Sequence, residues 1–263
     1  MKKLIIHADD FGLTEAVNEG IRTAIQNGPV TSTSLLVNFP ASRNALNLAR
    51  SENWDTGWHV NLTEGRPISP PESIPSLVQK NGLFHGLKAL MGRSFLRKLN
   101  PREVDIELTA QLKIFLDAGI RLTHLDGHQH IHTFPVVRDV LKKIVASHRI
   151  PFVRLPAETG GISLPRFKTR FFLRHLKGSR KDFWIGTDAR TIPFYGLSLG
   201  RSAGDLTAWK RLLMRIREEV AEIMVHPGLS ADRHPEWTLL VAPPLRRLLQ
   251  ETGFETVRFR DLI

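Results

Sequence analysis

Apolar and polar positions alternate along this chain in a repeating strand–helix rhythm. Leu4 to Ala8 is an apolar run that predicts a buried strand ending on Asp9-Asp10. Thr14 is placed to cap a helix in which Val17, Ile21, Ala24 and Ile25 share a face, and Gly28 marks its end. Further strands are predicted over Thr31 to Val37 and Thr56 to Val60, the latter ending near His59. Asn100-Pro101-Arg102-Glu103 reads as a capping box opening a helix that turns Leu108, Leu112, Phe115 and Leu116 inward and stops at Gly119. Arg121 to Leu125 predicts a strand ending on Asp126-Gly127-His128, and Pro135 to Ser147 the next helix. Phe152 to Leu155 is a short strand around Arg154. A helix carrying Leu206, Trp209, Leu213 and Ile216 leads into the strand Ile223 to Val225, which ends on His226-Pro227-Gly228. A helix from Pro244 to Thr252 and a strand from Thr256 to Phe259 close the pattern.

Strands that alternate with helices pair in parallel through right-handed crossovers. About seven such units predict a barrel, complete or distorted, rather than an open sheet. No internal repeat, low-complexity tract or interdomain linker interrupts the pattern, so residues 1–263 are expected to form one domain. The Pro- and Gly-rich stretch near 66–97 reads as a long insertion on one face.

Asp9, Asp10, His59, Asp126, His128, Arg154 and His226 all fall at or just past the C-terminal ends of predicted strands. In an α/β barrel those ends converge on one face, where catalytic groups gather. Two imidazoles and one carboxylate are a ligand set for a divalent metal that leaves positions open for water and substrate. With two adjacent aspartates, one can bind the metal while the other takes a proton from the activated water. His226, from a different strand, is placed to protonate a leaving amine, and Arg154 to keep a carboxylate base ionised. Taken singly, Asp9-Asp10 is a turn and a lone His59 or His226 a structural histidine. His124, His128, His130 and His132, four histidines in nine residues, point to function. Were that stretch extended, 128, 130 and 132 would share one side and at most two would ligate.

Composition narrows the setting. There is no cysteine, which removes disulfides and thiolate metal sites. Only Leu4 to Ile6 are apolar ahead of the first acids, too few for a secretory signal, and no run could span a bilayer, so a cytoplasmic setting is expected. The net charge of +11 is local. Lys88, Arg93, Arg97, Lys98 and Arg102 lie in one acid-free stretch. Arg166, Lys168, Arg170, Arg174, Lys177, Arg180 and Lys181 lie in another, the basic segment near 166–181. The 37 bases less these twelve leave 25 against 26 acids, a nearly neutral body. Leu87, Leu90, Met91, Phe95 and Leu96 interleave with the first segment, and Phe167, Phe171, Phe172, Leu173 and Leu176 with the second. That mixture suits peripheral contact with an anionic inner-membrane surface, each base there adding about 1 kcal/mol. A solvated helix face or a homodimer contact is the alternative.

The ordered motifs His7-Ala8-Asp9-Asp10-Phe11-Gly12, Gly57-Trp58-His59-Val60-Asn61-Leu62-Thr63-Glu64-Gly65, Thr123 to His132 and Val225-His226-Pro227-Gly228 resemble the YdjC-like carbohydrate deacetylases. That family includes chitooligosaccharide deacetylases and relatives associated with hopanoid lipid biosynthesis. The resemblance implies a distorted (β/α) TIM-like barrel of the polysaccharide-deacetylase type, holding one divalent metal ion, Mg or Zn. It implies Asp10, His59 and His128 as metal ligands, Asp9 as the catalytic base, Arg154 as its orienting arginine and His226 as the acid. The implied reaction removes acetyl from an N-acetylated amino sugar, oligosaccharide or lipid-linked, and releases acetate. A metal-dependent phosphoesterase is the rival on the same scaffold, but it usually needs two metals. A mononuclear iron oxygenase leaves the second aspartate and the acid histidine without a job. A nucleic-acid binder would explain the charge and not the strand-end cluster, so no nucleic-acid partner is expected.

Overall fold

Every pairing between strands is parallel in the structure, a computed structural model that describes residues 1–158, 184 and 186–263. In chain order the elements are β1 (Lys2–Phe11), α1 (Glu15–Asn27), β2 (Ser32–Leu35), α2 (Ser42–Ser51), β3 (Thr56–Val60), α3 (Leu87–Phe95) and α4 (Pro101–Asp117). Then come β4 (His124–Gly127), a 3-10 segment (His128–Thr133), α5 (Pro135–His148), β5 (Phe152–Val153), β6 (Phe194–Tyr195) and α6 (Leu206–Leu213). The chain finishes with β7 (Val220–Val225), α7 (His234–Val241), α8 (Pro243–Glu251) and β8 (Phe254–Thr256). Spatial order is β5-β4-β3-β2-β1-β7-β6, with β8 alongside the start of β1. Arg190, four positions before β6, forms a parallel bridge with Phe152 of β5. The ring of strands is therefore brought round between β5 and β6 through a thin seam, and the expected distorted barrel is what forms.

Strand alternation sorts the side chains into two layers. Leu4, Ile6 and Ala8 of β1 join the large core that packs the strands against Val17, Ile21 and Ala24 of α1, with Leu108, Leu112 and Phe115 of α4 in the same cluster. Ile5 joins Phe152, Ile192, Val257 and Phe259 in a small apolar plug inside the barrel. Next along the interior come His7 and His124, edge-on to each other at 4.6 Å, with His124 stacked on Phe259 at 4.1 Å. A Cβ on Gly57 would stand 2.2 Å from the His124 ring, so only glycine admits that histidine to the interior.

The expected boundaries shift in places. β1 runs on through both aspartates to Phe11, and β8 lies two residues earlier than its pattern suggests, Phe259 falling in a 3-10 turn. Asn100 does cap α4, accepting from Arg102 N at 3.0 Å. Glu103 does not close a capping box: it accepts from Ser76 N (2.6 Å) and Asn100 Nδ2 (3.0 Å), tying the segment ahead of α4 to the helix. Leu116, expected inward, is half-exposed. Helix α2 escapes the hydrophobic pattern because its buried positions are Ser42, Ala45 and Ala49, too small to register.

Helix α3 packs against α5 and the 3-10 segment after β4. Its Leu90 is buried, and Leu87, Met91 and Phe95 lean on the core, so of the large apolar residues interleaved in this basic stretch only Leu96 is exposed. The second basic segment, near 166–181, lies outside the described residues. Among the described residues no helix is long and apolar enough to cross a membrane.

Candidate active site

Two consecutive residues of a regular strand point to opposite faces. Asp9 and Asp10 escape this rule because the β1–β2 register breaks between Ala8 and Phe11, and Asp10 takes a left-handed conformation, φ 69°. That is an uncommon backbone for a residue with a Cβ, and it folds both carboxylates into one pocket.

Asp10 Oδ1 lies 2.8 Å from His128 Nδ1 and 3.2 Å from His59 Nε2. All three side chains are buried, and their donor atoms lie within 4.8 Å of one another. His59 faces away from Asp10 through Nδ1, which meets Asp126 Oδ1 at 2.7 Å and Ser34 Oγ at 2.9 Å. Asp10 Oδ2 accepts from Arg233 Nη2 at 2.6 Å. Arg233 reaches it by passing over Gly228, where a Cβ would meet its Cδ at 2.9 Å. Burial disfavours a charged His59, but Asp126, Asp10 and Asp9 outweigh it and push the imidazole up to about 10. Burial likewise opposes ionisation of Asp10, yet hydrogen bonds from His128 and His59 hold it well below the carboxylate range. A converging pair of imidazoles facing a carboxylate already held ionised fits a divalent cation.

Behind this group lies a buried ion cluster. Arg154 donates to both oxygens of Asp9 (Nη1–Oδ2 2.7 Å, Nη2–Oδ1 2.8 Å), approaches Asp126 Oδ2 at 2.8 Å and meets Glu222 Oε1 through Nη2 at 2.6 Å. Burial would raise Asp9, but Arg154 overrides it and lowers the carboxyl to about 2. For Glu222 burial wins over Arg154 and raises it to about 7. His7, Asp9 and Asp126 also bring donor atoms together. With Arg154 already bridging Asp9 and Asp126, that group holds a cation of its own and does not suit a metal.

His226 stands on the solvent side of Asp9, Nε2 to Oδ2 3.9 Å, with its side chain 38% exposed. Its backbone N donates to Glu236 Oε2 at 3.0 Å, fixing the loop after β7. The four-histidine stretch is not extended: Gln129 and His130 are both left-handed (φ 53° and 59°), and 128, 130 and 132 diverge. His132 Nε2 meets the Arg154 carbonyl at 2.9 Å and its ring lies parallel to Trp184, while His130 lies edge-on to Phe194. Burial lowers His132 to about 4 and His130 to about 3, so both are neutral packing groups.

The seven strand-end residues thus converge, while His124, His130 and His132 pack around them; Ser34, Glu222 and Arg233 join the site unannounced, with His7 and Glu64 from the quoted motifs. Glu222 and His7 carried a signal: Glu222 is the one polar residue of its strand, and His7 the one polar residue of the apolar run Leu4 to Ala8. Arg233 carried none, being one arginine in a loop that contacts Asp10 across 223 positions.

A family model described as YdjC-like protein matches residues 3–251. A carbohydrate deacetylase of Brevibacillus brevis is 32% identical, covering 99% of this chain and 99% of its own. The carbohydrate deacetylase of Mus musculus is also 32% identical, over 99% of this chain and 94% of its own. Among solved structures, a candidate cellobiose-phosphate cleavage protein of Enterococcus faecalis V583 superposes with a TM-score of 0.78 at 28% identity, over 99% of this chain and 98% of its own.

Proposed function

Because the chain belongs to the YdjC-like family, we propose that it is a metal-dependent carbohydrate N-deacetylase that hydrolyses the N-acetyl group of an amino sugar and releases acetate. The observation that carries this reading is one pocket holding a buried Asp-His-His donor set and a second, differently held carboxylate. Asp10, His59 and His128 would hold the ion, and two imidazoles with one carboxylate suit zinc better than magnesium, which prefers oxygen ligands. A divalent ion held there would supply Lewis acidity towards an amide carbonyl and a water.

The chain's own residues do the rest. Asp9, held ionised by Arg154, takes the proton of the attacking water. Arg154 keeps both Asp9 oxygens in place. His226, reached from solvent and 3.9 Å from Asp9, donates a proton to the departing amine. A two-metal phosphoesterase gains no support, because Arg154 fills the neighbouring carboxylate group.

The substrate class follows the relatives named carbohydrate deacetylase. Contact with an anionic membrane from a cytoplasmic position rests now on charge rather than on an apolar face, since α3 turns most of its apolar residues inward. Release of acetate from short chitooligosaccharides and N-acetylated glycolipids, with metal analysis on the same sample, tests the activity. Asp9→Asn is expected to retain the ion and lower turnover about 100-fold or more, the scale of a general base. Near-normal turnover on every substrate would remove Asp9 from that role. Asp126→Ala is expected to weaken zinc binding about 10- to 100-fold by releasing His59 Nδ1, which calorimetric titration would register.

A further inference from the structure

The two histidines of the donor set face Asp10 through different ring nitrogens. His59 turns Nε2 to Asp10 (3.2 Å) and Nδ1 to Asp126 (2.7 Å). His128 does the reverse: Nδ1 lies 2.8 Å from Asp10 Oδ1, and Nε2 lies 3.4 Å from Glu64 Oε1. His128 Nε2 is buried and has no hydrogen-bond partner of good geometry, so the Glu64 carboxylate is the acid it faces.

Glu64 is itself fixed from two sides. Its carbonyl accepts from Asn61 Nδ2 (2.8 Å) and Asn38 Nδ2 (3.0 Å), while Asn61 Oδ1 accepts from the Glu64 and Thr63 backbone N–H groups. Its carboxylate accepts from Gln129 Nε2 at 2.6 Å. Gln129 holds that position with a left-handed backbone (φ 53°, ψ 24°), a conformation that costs about 1 kcal/mol or more and persists only where its surroundings impose it. The strained turn after β4 thus delivers His128 to Asp10 and Gln129 to Glu64 in consecutive residues.

We infer that His128 meets the metal through Nδ1, and that Glu64, steadied by Gln129, is the carboxylate that orients it through Nε2. The site then contains two carboxylate–histidine pairs of opposite tautomer, Asp126 with His59 and Glu64 with His128. They differ in setting. Asp126 is sealed in the barrel, whereas the Glu64 side chain is 45% exposed at the rim. Glu64 is therefore a positioning residue at the mouth, open to solvent as Asp126 is not.

The inference rests on the proposed ligand set, and the test separates the two. Two-bond proton–nitrogen correlation spectra of the 15N-labelled, zinc-loaded full chain distinguish protonated from metal-bound ring nitrogens, with His59→Gln and His128→Gln giving the assignments. The expected pattern is zinc on Nε2 of His59 and on Nδ1 of His128, with a proton on His128 Nε2. Glu64→Ala is expected to lower zinc affinity about 10- to 100-fold, and Glu64→Gln by less because an acceptor oxygen remains. Zinc on Nε2 of His128 overturns the inference alone. So does Glu64→Ala with unchanged zinc affinity, even if its melting temperature falls. Zinc that perturbs neither histidine overturns the ligand set itself.

Discussion

Asp10→Asn is expected to lose both metal binding and acetate release, with turnover falling about 10³-fold or more, the equivalent of the several kcal/mol that a Lewis acid contributes to such a barrier. The substitution keeps the side chain's shape but halves its acceptors and removes its charge. Oδ1 is the oxygen between His59 Nε2 and His128 Nδ1, and Oδ2 is the one tied to Arg233. An amide cannot serve both edges: with its NH2 towards Arg233 it meets a donor, and with its NH2 towards the histidines it has no lone pair to offer an ion. Metal content by elemental analysis, read beside acetate release, checks this. A variant that keeps its ion at wild-type affinity would show that Asp10 is not a ligand. One that loses the ion and keeps the rate would show that the chemistry does not need it.

Arg154→Met should have the largest effect on stability. Arg154 is buried against Asp9, Asp126 and Glu222, and removing one partner from a buried ionic group costs about 3–5 kcal/mol. For a chain of 263 residues that is a fall in melting temperature on the order of 10 °C. The pH dependence supplies the sign. In the wild type Asp9 titrates near 2, below its unfolded value of 3.8, so its contribution is present above the unfolded pKa and fades as pH falls towards 2. Glu222 runs the other way. Raised to about 7 from 4.5, its contribution is complete below 4.5 and is lost as pH rises through 7. Without Arg154 all three acids move upward: His59 still opposes burial at Asp9 and Asp126, while Glu222 loses the cation that opposed it. The variant should therefore be weakest at neutral pH and regain ground towards pH 5, where the wild type gains less. Thermal melts of both proteins from pH 5 to 8 decide it; a constant deficit across that range would mean that Arg154 acts through packing alone.

Much of this fold was legible because strands of a barrel write their interior in every second residue. His7-x-Asp9, Gly57-x-His59 and His124-x-Asp126 are three such pairs, and neighbouring registers set His59 beside Asp126. The seven strand-end residues identified from the sequence gather within one pocket. What was not legible depends on distances along the chain that carry no pattern. Arg233 and Glu64 lie in loops, where side-chain direction follows backbone turns rather than a period. An extended stretch after β4 would set 128, 130 and 132 on one side, and two left-handed residues instead scatter them. Helix α2 leaves no hydrophobic pattern because alanine and serine fill its buried face, and β6 leaves none because it is two residues long.

The bulge in β1 has a consequence for how this site can change over time. Asp9 and Asp10 are chemically identical, and what separates them is a single change of backbone handedness at position 10. The division of labour is therefore encoded in the count of residues between Ala8 and Phe11 as much as in their identity. A point substitution there alters one group. A one-codon insertion or deletion would re-phase the end of the strand, exchange inward for outward positions and dissolve both roles together. In the family's descent this short stretch should tolerate a change of letter more readily than a change of length.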